Sequence, residues 1–356
     1  MDTVITKTLF IQSSCSKRLW LTRNKPEAVA NKDTQQTVEG REVGVLAREY
    51  FGSAYELIEA ASKRGMDGKT RQALLAPTGT VVCEAAFLSG DLYAAADIVI
   101  IGEKGLDIYE VKATTSIKSI QLDDVAFQYH VIERAGYHVN SVHIMHLNSD
   151  YRLEGTLDIQ KLFVLSDVTH NVHRMQEGIA EKISCCRDIL ARKEEPNCPL
   201  SLQCEKPYLC TCRDYCFALH HVPSVSVFDV AGMTAQKKYA LWNSGCRTPE
   251  EMVNRRDVFT ERQSRQIQSM QSSDRDKLHV ETAMLKQFLD SVRYPLYLLD
   301  FETFQCAIPR FQGMAPYEQI PFQYSLHWIR EKAASCGIRN SWPKRARTRG
   351  CHWQRR

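Results

Sequence analysis

The spacing of apolar residues divides the chain into helical and extended stretches. Residues 9–21 mix apolar positions with Cys15, Lys17 and Arg18 and predict a short helix. Over residues 44–62 a longer helix is predicted, with Leu46, Ala47, Tyr50, Phe51, Ala54 and Leu57 on one broad face. The pattern then turns to β-branched and small apolar residues in TGTVVCEAAFLSG and LYAAADIVIIG. LDIYEVKATT follows after Gly102-Glu103-Lys104-Gly105, a hairpin turn. Helical spacing returns over 123–136, VNSVHIMHL and KLFVLSDV read as strands, and 171–193 reads as a long helix stopped near Pro196. Strands interleaved with helices predict an α/β or α+β fold.

Farther on, residues 227–260 read as short helices around the turn Asn243-Ser244-Gly245. Residues 261–275 are polar and predict a linker or an exposed helix. A helix over 279–292 then leads into YPLYLLDFETF, a buried-strand signal. No internal repeat interrupts this order.

Composition narrows the class. Of 356 residues, 44% are hydrophobic and 25% charged, which excludes a disordered, collagen-like or coiled-coil chain. No stretch approaches the ~18 uninterrupted apolar residues of a membrane span. The N-terminal MDTVITKTLFIQSSC has an early Asp2 and no apolar signal core, so a cytoplasmic location and no membrane partner are expected. The net charge of +4 arises in residues 330–356, with nine Lys/Arg against one acid; the remainder carries 37 basic and 41 acidic residues. Overall basicity is therefore no argument for a nucleic-acid partner. Thirteen cysteines in a cytosolic chain are not expected to be disulfides. Cys198, Cys204, Cys210, Cys212 and Cys216 crowd into nineteen residues, which points to metal.

The most informative stretch is AAADIVIIGEKGLDIYEVKATT. Glu110 and Lys112 fall on one face of a strand. A turn at Glu103-Lys104 sets Asp97 directly opposite Glu110, where Cβ atoms lie ~4.5–5.5 Å apart. Two carboxylates that close repel unless a cation lies between them, and oxygen donors suit Mg²⁺ or Mn²⁺. The bland alternative is a solvated strand face. The apolar neighbours Ala94, Ala95, Ile98, Val99, Ile100, Val111 and Ala113 argue against it, because unpaired charges are seldom buried.

Asp97, then Glu110-Val111-Lys112, then Asp124-Val125-Ala126-Phe127-Gln128-Tyr129 on a helix, resembles the RecB-like branch of the PD-(D/E)XK nucleases. The resemblance implies a restriction-endonuclease-like α/β core in which Asp97 and Glu110 bind the catalytic metal. It gives Lys112 the positioning of the attacking water, and Gln128 and Tyr129 the support of site and DNA strand. Glu84 stands where relatives carry an additional acid, a further metal ligand. Gly44 lies near the place where many relatives carry a metal-binding His, a departure from the pattern.

Cys204, Cys210 and Cys216 are spaced by six residues in QCEKPYLCTCRDYCF, wider than the usual zinc pairs, although Cys212 or Cys198 completes four local thiolates and leaves zinc open. One early cysteine, Cys15 in SSCSKRLWL, plus three late ones resembles the iron–sulfur RecB-like nucleases, including the CRISPR-associated exonucleases. That resemblance implies a [4Fe-4S] cluster on Cys15, Cys204, Cys210 and Cys216 that staples the fold. Cys83, Cys185, Cys186, Cys246 and Cys306 read as packed thiols. His143 and His146, at odd spacing on one strand, face opposite sides and read as non-ligands.

Tyr297-Leu298-Leu299-Asp300-Phe301-Glu302-Thr303 resembles the first motif of DnaQ-like exonucleases of the RNase H-like fold, which implies metal binding by Asp300 and Glu302. From about residue 5 to 329 the chain resembles a bacterial family that joins an iron–sulfur RecB-like nuclease to a DnaQ-like domain. Only 54 residues follow Glu302, and SCGIRNSWPKRARTRGCHWQRR holds no acid. An incomplete, poorly ordered or aggregation-prone second domain is therefore expected.

The expected organisation is a nuclease domain with its cysteine cluster over 1–222, a small helical spacer over 223–276, a DnaQ-like fragment over 277–329, and a disordered basic tail over 330–356. The expected activity is Mg²⁺- or Mn²⁺-dependent hydrolysis of DNA, on single strands or ends, in repair, recombination or defence. A catalytically impaired iron–sulfur nucleic-acid scaffold and a zinc-stapled interaction protein are the alternatives.

Overall fold

The computed structural model describes residues 4–30, 35–271, 280–332 and 334–341. The chain opens with a two-residue strand, β1 (Ile5–Thr6), and runs directly into α1 (Lys7–Gln12). The single helix expected over 9–21 is two helices. Ser13 Oγ donates to the Phe10 carbonyl at 2.6 Å and Cys15 is extended, so the chain breaks before α2 (Ser16–Asn24).

The helix expected over 44–62 is likewise shifted. It is α3 (Gln35–Glu49), stopped where Gly52 takes a positive φ of 111°. Residues 56–57 are instead a short strand, β2 (Glu56–Leu57), followed by α4 (Lys63–Ala73), which Ser62 caps. Next come β3 (Val81–Ser89), β4 (Leu92–Ile101), β5 (Leu106–Lys112), α5 (Ser119–Arg134), β6 (Val139–Leu147), α6 (Ile159–Leu162), β7 (Phe163–Asp167) and α7 (Thr169–Leu190).

The seven strands form one mixed sheet in the order β2-β3-β4-β5-β6-β7, with β1 joined in parallel to β4. A core of α1, α5 and α7 side chains packs on one face, where Phe10 stacks on Phe127 with ring centroids 4.7 Å apart. On the other face, Val43 and Ala47 of α3 pack with Cys83, Ile98 and Met145. This is a mixed α/β fold, as the pattern of elements predicts.

Beyond α7 the cysteine segment leads to α8 (Arg213–Leu219), α9 (Ala235–Asn243), α10 (Pro249–Val253) and α11 (Glu261–Met270). These share one hydrophobic core, with Cys210, Cys212 and Cys216 beside Val227, Trp242, Met252 and Ile267. The boundary expected between residues 222 and 223 therefore falls inside a core, because the spacer helices cover the cysteine loop.

After α12 (Thr282–Ser291), the strands β8 (Leu296–Phe304), β9 (Ile320–Ile329) and β10 (Gly337–Ser341) form a separate antiparallel sheet in the order β10-β9-β8. Two expectations change here. First, β8 is not buried: Tyr297, Leu298, Leu299 and Phe301 are all exposed. It pairs with β9 along its length, and no described helix covers either face. Second, residues 296–304 pair with residues 320–329, and residues 337–341, within the expected tail, add a third strand to the sheet. The rest of that tail lies outside the described residues. The connection from β8 to β9 reaches back to the first sheet. Ala307 joins its core, and Tyr317 donates a hydrogen bond to the Ala113 carbonyl at 2.7 Å. Among the described residues no helix is long and apolar enough to cross a membrane.

Candidate active site and cysteine cavity

The site forms where β4 and β5 part. Their ladder runs from Ile101↔Leu106 to Ile98↔Tyr109, the register set by a turn at Glu103-Lys104. Beyond that pair β5 continues beside β6 through Glu110, Val111 and Lys112. The edge of β4 that β5 leaves is taken up by β1 at Leu92 and Tyr93. Asp97 stands in the gap. Its Oδ2 accepts the Val111 N–H at 2.7 Å, so a side chain replaces a strand carbonyl as ladder partner.

A change of phase helps to put it there. Ala94, Ala96 and Val99 all join the α5-side core, so the alternation of β4 shifts between Ala96 and Val99. On β3, Val82, Ala85 and Phe87 show the same shift, at Glu84. Glu84 has a φ of 58°, a left-handed conformation that costs a non-glycine residue about 1–3 kcal/mol and that clusters at functional sites.

Four further side chains converge on Glu110, which is 1% exposed. The Lys112 Nζ lies 2.6 Å from both Glu110 Oε1 and Asp124 Oδ2. Gln128 is fully buried, and its Nε2 donates to Glu110 Oε2 at 2.8 Å and to Asp124 Oδ1 at 3.2 Å. Its Oε1 has no hydrogen-bond partner. Asp124 and Gln128 are four residues apart and so share the face of α5 that meets the sheet. From α1, Lys7 Nζ reaches Glu110 Oε1 at 3.0 Å and stands 3.9 Å from Asp124 Oδ2.

Burial would raise the Glu110 carboxyl. The ammonium groups of Lys112 and Lys7, with hydrogen bonds from Lys112 and Gln128, hold it well below the usual carboxylate range instead. Asp97 goes the other way: burial first, then the charge of Glu110, push it up to about 7. Asp124 is raised by the same two causes. Burial also opposes the lysine charges, but Glu110 and Asp124 outweigh it, and both lysines stay firmly protonated. Three carboxylates thus share two ammonium groups, and Asp97 is left short of positive charge.

That deficit is the observation that fits a divalent cation. Asp97, Glu110 and Asp124 are hard oxygen donors of the kind that hold Mg²⁺ or Mn²⁺. As the side chains stand, lysine nitrogens occupy Glu110 Oε1 and Asp124 Oδ2. Among the described residues no group of three or more His, Cys, Asp or Glu is arranged as a ready metal site.

The other expected residues divide. Glu84 is held by Arg48 of α3, whose Nη2 lies 2.7 Å from Glu84 Oε1. One turn earlier on the same helix, a Cβ at Gly44 would meet nothing within 4 Å. Tyr129 is not brought to the carboxylates; its ring lies 5.0 Å from that of His173 on α7, and its hydroxyl bonds Glu133. His143 stacks on Tyr109, and His146 contacts Ser166. Asp300 and Glu302 are exposed on β8, in the other sheet. Lys7 and Asp124 are the site residues that the sequence reading did not select. The four-residue spacing of Asp124 and Gln128 was a usable signal, whereas Lys7 had none.

The second feature is a cavity of about 190 Å³ lined by six cysteines, Cys15, Cys198, Cys204, Cys210, Cys212 and Cys216. Cys15 enters it from the N-terminal end of α2, where its sulfur meets the backbone N–H groups of Lys17 and Arg18. Lys17, Arg18 and Arg213 also line it. Burial raises the Cys15, Cys204 and Cys216 thiols, Cys216 to about 12. Cys210 is brought down to about 6, mainly by a hydrogen bond from the Cys212 thiol. Several thiols in one basic-walled cavity fit an anionic thiolate-bound metal centre. The thiols act on one another across the cavity, Cys15 with Cys198, Cys210 and Cys216, and both Cys204 and Cys212 with Cys210 and Cys216, so these contacts do not single out four of the six.

Comparison with known proteins adds little chemistry. A family model described as Domain of unknown function (DUF2779) matches residues 297–346, a stretch that spans β8 to β10 and passes the boundary expected at residue 330. No curated protein matches the chain. A solved structure titled "Crystal structure of SSO0001" is 11% identical, covering 55% of this chain and 89% of that one with a TM-score of 0.23, an overlap too slight to support an inference.

Proposed function

We propose that this chain is a divalent-metal-dependent nuclease with a PD-(D/E)XK-like core. The observation that carries the reading is the bridge of Lys112 between Glu110 and Asp124, with Asp97 one strand away, in an otherwise apolar layer. Asp97 and Glu110, with Asp124 or Glu84 adding a donor, would hold Mg²⁺ or Mn²⁺, which would supply Lewis-acid stabilisation of phosphate charge and a more acidic water.

The residues of the chain do the rest. Lys112, held between Glu110 and Asp124, orients the attacking water and steadies the phosphate by donating hydrogen bonds. Gln128 fixes the rotamers of Glu110 and Asp124 through its two hydrogen bonds. In the hydrolysis the water oxygen bonds to phosphorus and gives up a proton to bulk water, the P–O bond to the leaving sugar oxygen breaks, and that oxygen takes up a proton from bulk water. DNA with single-stranded character or free ends is the proposed substrate, on the strength of the RecB-like resemblance.

Cys15, Cys204, Cys210 and Cys216 are proposed to hold a [4Fe-4S] cluster that ties the first helices to the 198–216 loop. Metal-dependent cleavage of labelled single-stranded DNA, lost in Lys112→Ala, tests the reading. A binding scaffold without turnover is favoured by one observation, that both lysines already neutralise Glu110; nucleic-acid binding by a protein that never cleaves would select it.

A further inference from the structure

We infer that Lys7 is a displaceable counter-ion of Glu110, a positioning residue that leaves this carboxylate when the divalent ion enters and then engages substrate phosphate. The inference rests on the metal-site reading of Asp97 and Glu110. Lys7 and Lys112 both contact Glu110 Oε1, at 3.0 and 2.6 Å. A divalent ion on that carboxylate would repel both ammonium groups, and at most one has an alternative anion at full contact. Lys112 keeps Asp124 at 2.6 Å, whereas Lys7 is 3.9 Å from it.

The settings of the two lysines differ in the same direction. The Lys112 side chain is 19% exposed and anchored on a strand paired with β6. That of Lys7 is 36% exposed and follows a strand held by only two residue pairs. Lys7 is thus the ammonium group with a way out toward solvent, and phosphate is the anion that the proposed substrate brings to that side.

Mn²⁺ binding, read from the electron paramagnetic resonance signal of the free ion, tests this in wild type, Lys7→Met, Lys7→Gln and Lys7→Arg. Both neutral variants keep the aliphatic stem, so either suffices if the other fails to fold. They are expected to bind Mn²⁺ about tenfold more tightly than wild type, equivalent to about 1.4 kcal/mol, while Lys7→Arg stays near wild type. With Ca²⁺ in place of Mn²⁺, the neutral variants should bind a single-stranded oligonucleotide more weakly, with the salt slope reduced by about one counterion. Unchanged or weaker Mn²⁺ binding by a folded neutral variant overturns the inference. Wild type that binds Mn²⁺ but cleaves nothing overturns the nuclease reading instead, and the affinity comparison still decides Lys7.

Discussion

Asp97 reaches across the gap between two strands to take the backbone N–H of Val111 at 2.7 Å, so the carboxylate closes a ladder that β4 and β5 leave open. Its position is costly to ionise. The folded-state value is raised from 3.8 to about 7, by burial and then by Glu110.

A definite pH dependence follows. The folded protein holds a proton that the unfolded chain gives up, so this stability is fully present below pH 3.8 and is lost as pH rises through about 7. Glu110, whose value is lowered, acts in the opposite sense at more acid pH. Unfolding of metal-free protein between pH 4.5 and 8 should show wild type losing stability relative to Asp97→Asn, by at most about 1.4 kcal/mol per pH unit. Parallel curves for the two proteins would refute this account of Asp97. Mn²⁺ should also stabilise wild type more at pH 8 than at pH 6, because it must displace that proton.

The proposed cluster divides the six cavity cysteines into ligands and bystanders. Ser substitution at Cys15, Cys204, Cys210 or Cys216 should abolish iron binding and the broad absorbance near ~400 nm, and lower stability by several kcal/mol. Cys198→Ser and Cys212→Ser should keep the iron. The packed Cys83, Cys246 and Cys306 should keep it as well, at the small cost of a core change. Iron and sulfide analysis of each purified variant checks the pattern, and stoichiometric zinc in colourless wild-type protein would replace the cluster with a zinc staple.

Glu84 combines strain with charge. Replacing it with Gly relieves a φ of 58°, worth about 1–3 kcal/mol, while the loss of the pairing with Arg48 and the added backbone entropy of glycine each oppose it by about 1 kcal/mol or less. Glu84→Gly should therefore melt within a few degrees of wild type and yet cleave at least tenfold more slowly at limiting Mn²⁺. Full activity at every Mn²⁺ concentration would remove Glu84 from the site.

Much of this site was legible in the sequence because it lies on one hairpin and one helix. The Glu103-Lys104 turn sets the β4–β5 register, and period-2 alternation places Glu110 and Lys112 on one face. Other parts depend on tertiary structure. The phase shift at Glu84 and Asp97 breaks the alternation on which strand reading relies. Lys7 is positioned by a strand too short to leave a pattern, and the break at Ser13 that brings Cys15 to the cavity is made by a side-chain hydrogen bond. The apolar run of β8 reads as buried because composition carries no information about what covers a sheet. Tyr129 shares a motif with Gln128, but adjacent helical positions lie about 100° apart, so it faces α7 rather than the sheet.

The most direct measurement is cleavage of end-labelled single-stranded DNA in Mg²⁺ or Mn²⁺ by anaerobically purified wild type, Lys112→Ala and Asp300→Ala, after iron content has been confirmed. The account predicts cleavage by wild type and Asp300→Ala, and a loss of about 10²-fold or more in Lys112→Ala. Cleavage that survives in Lys112→Ala and disappears in Asp300→Ala would contradict it and move the chemistry to β8.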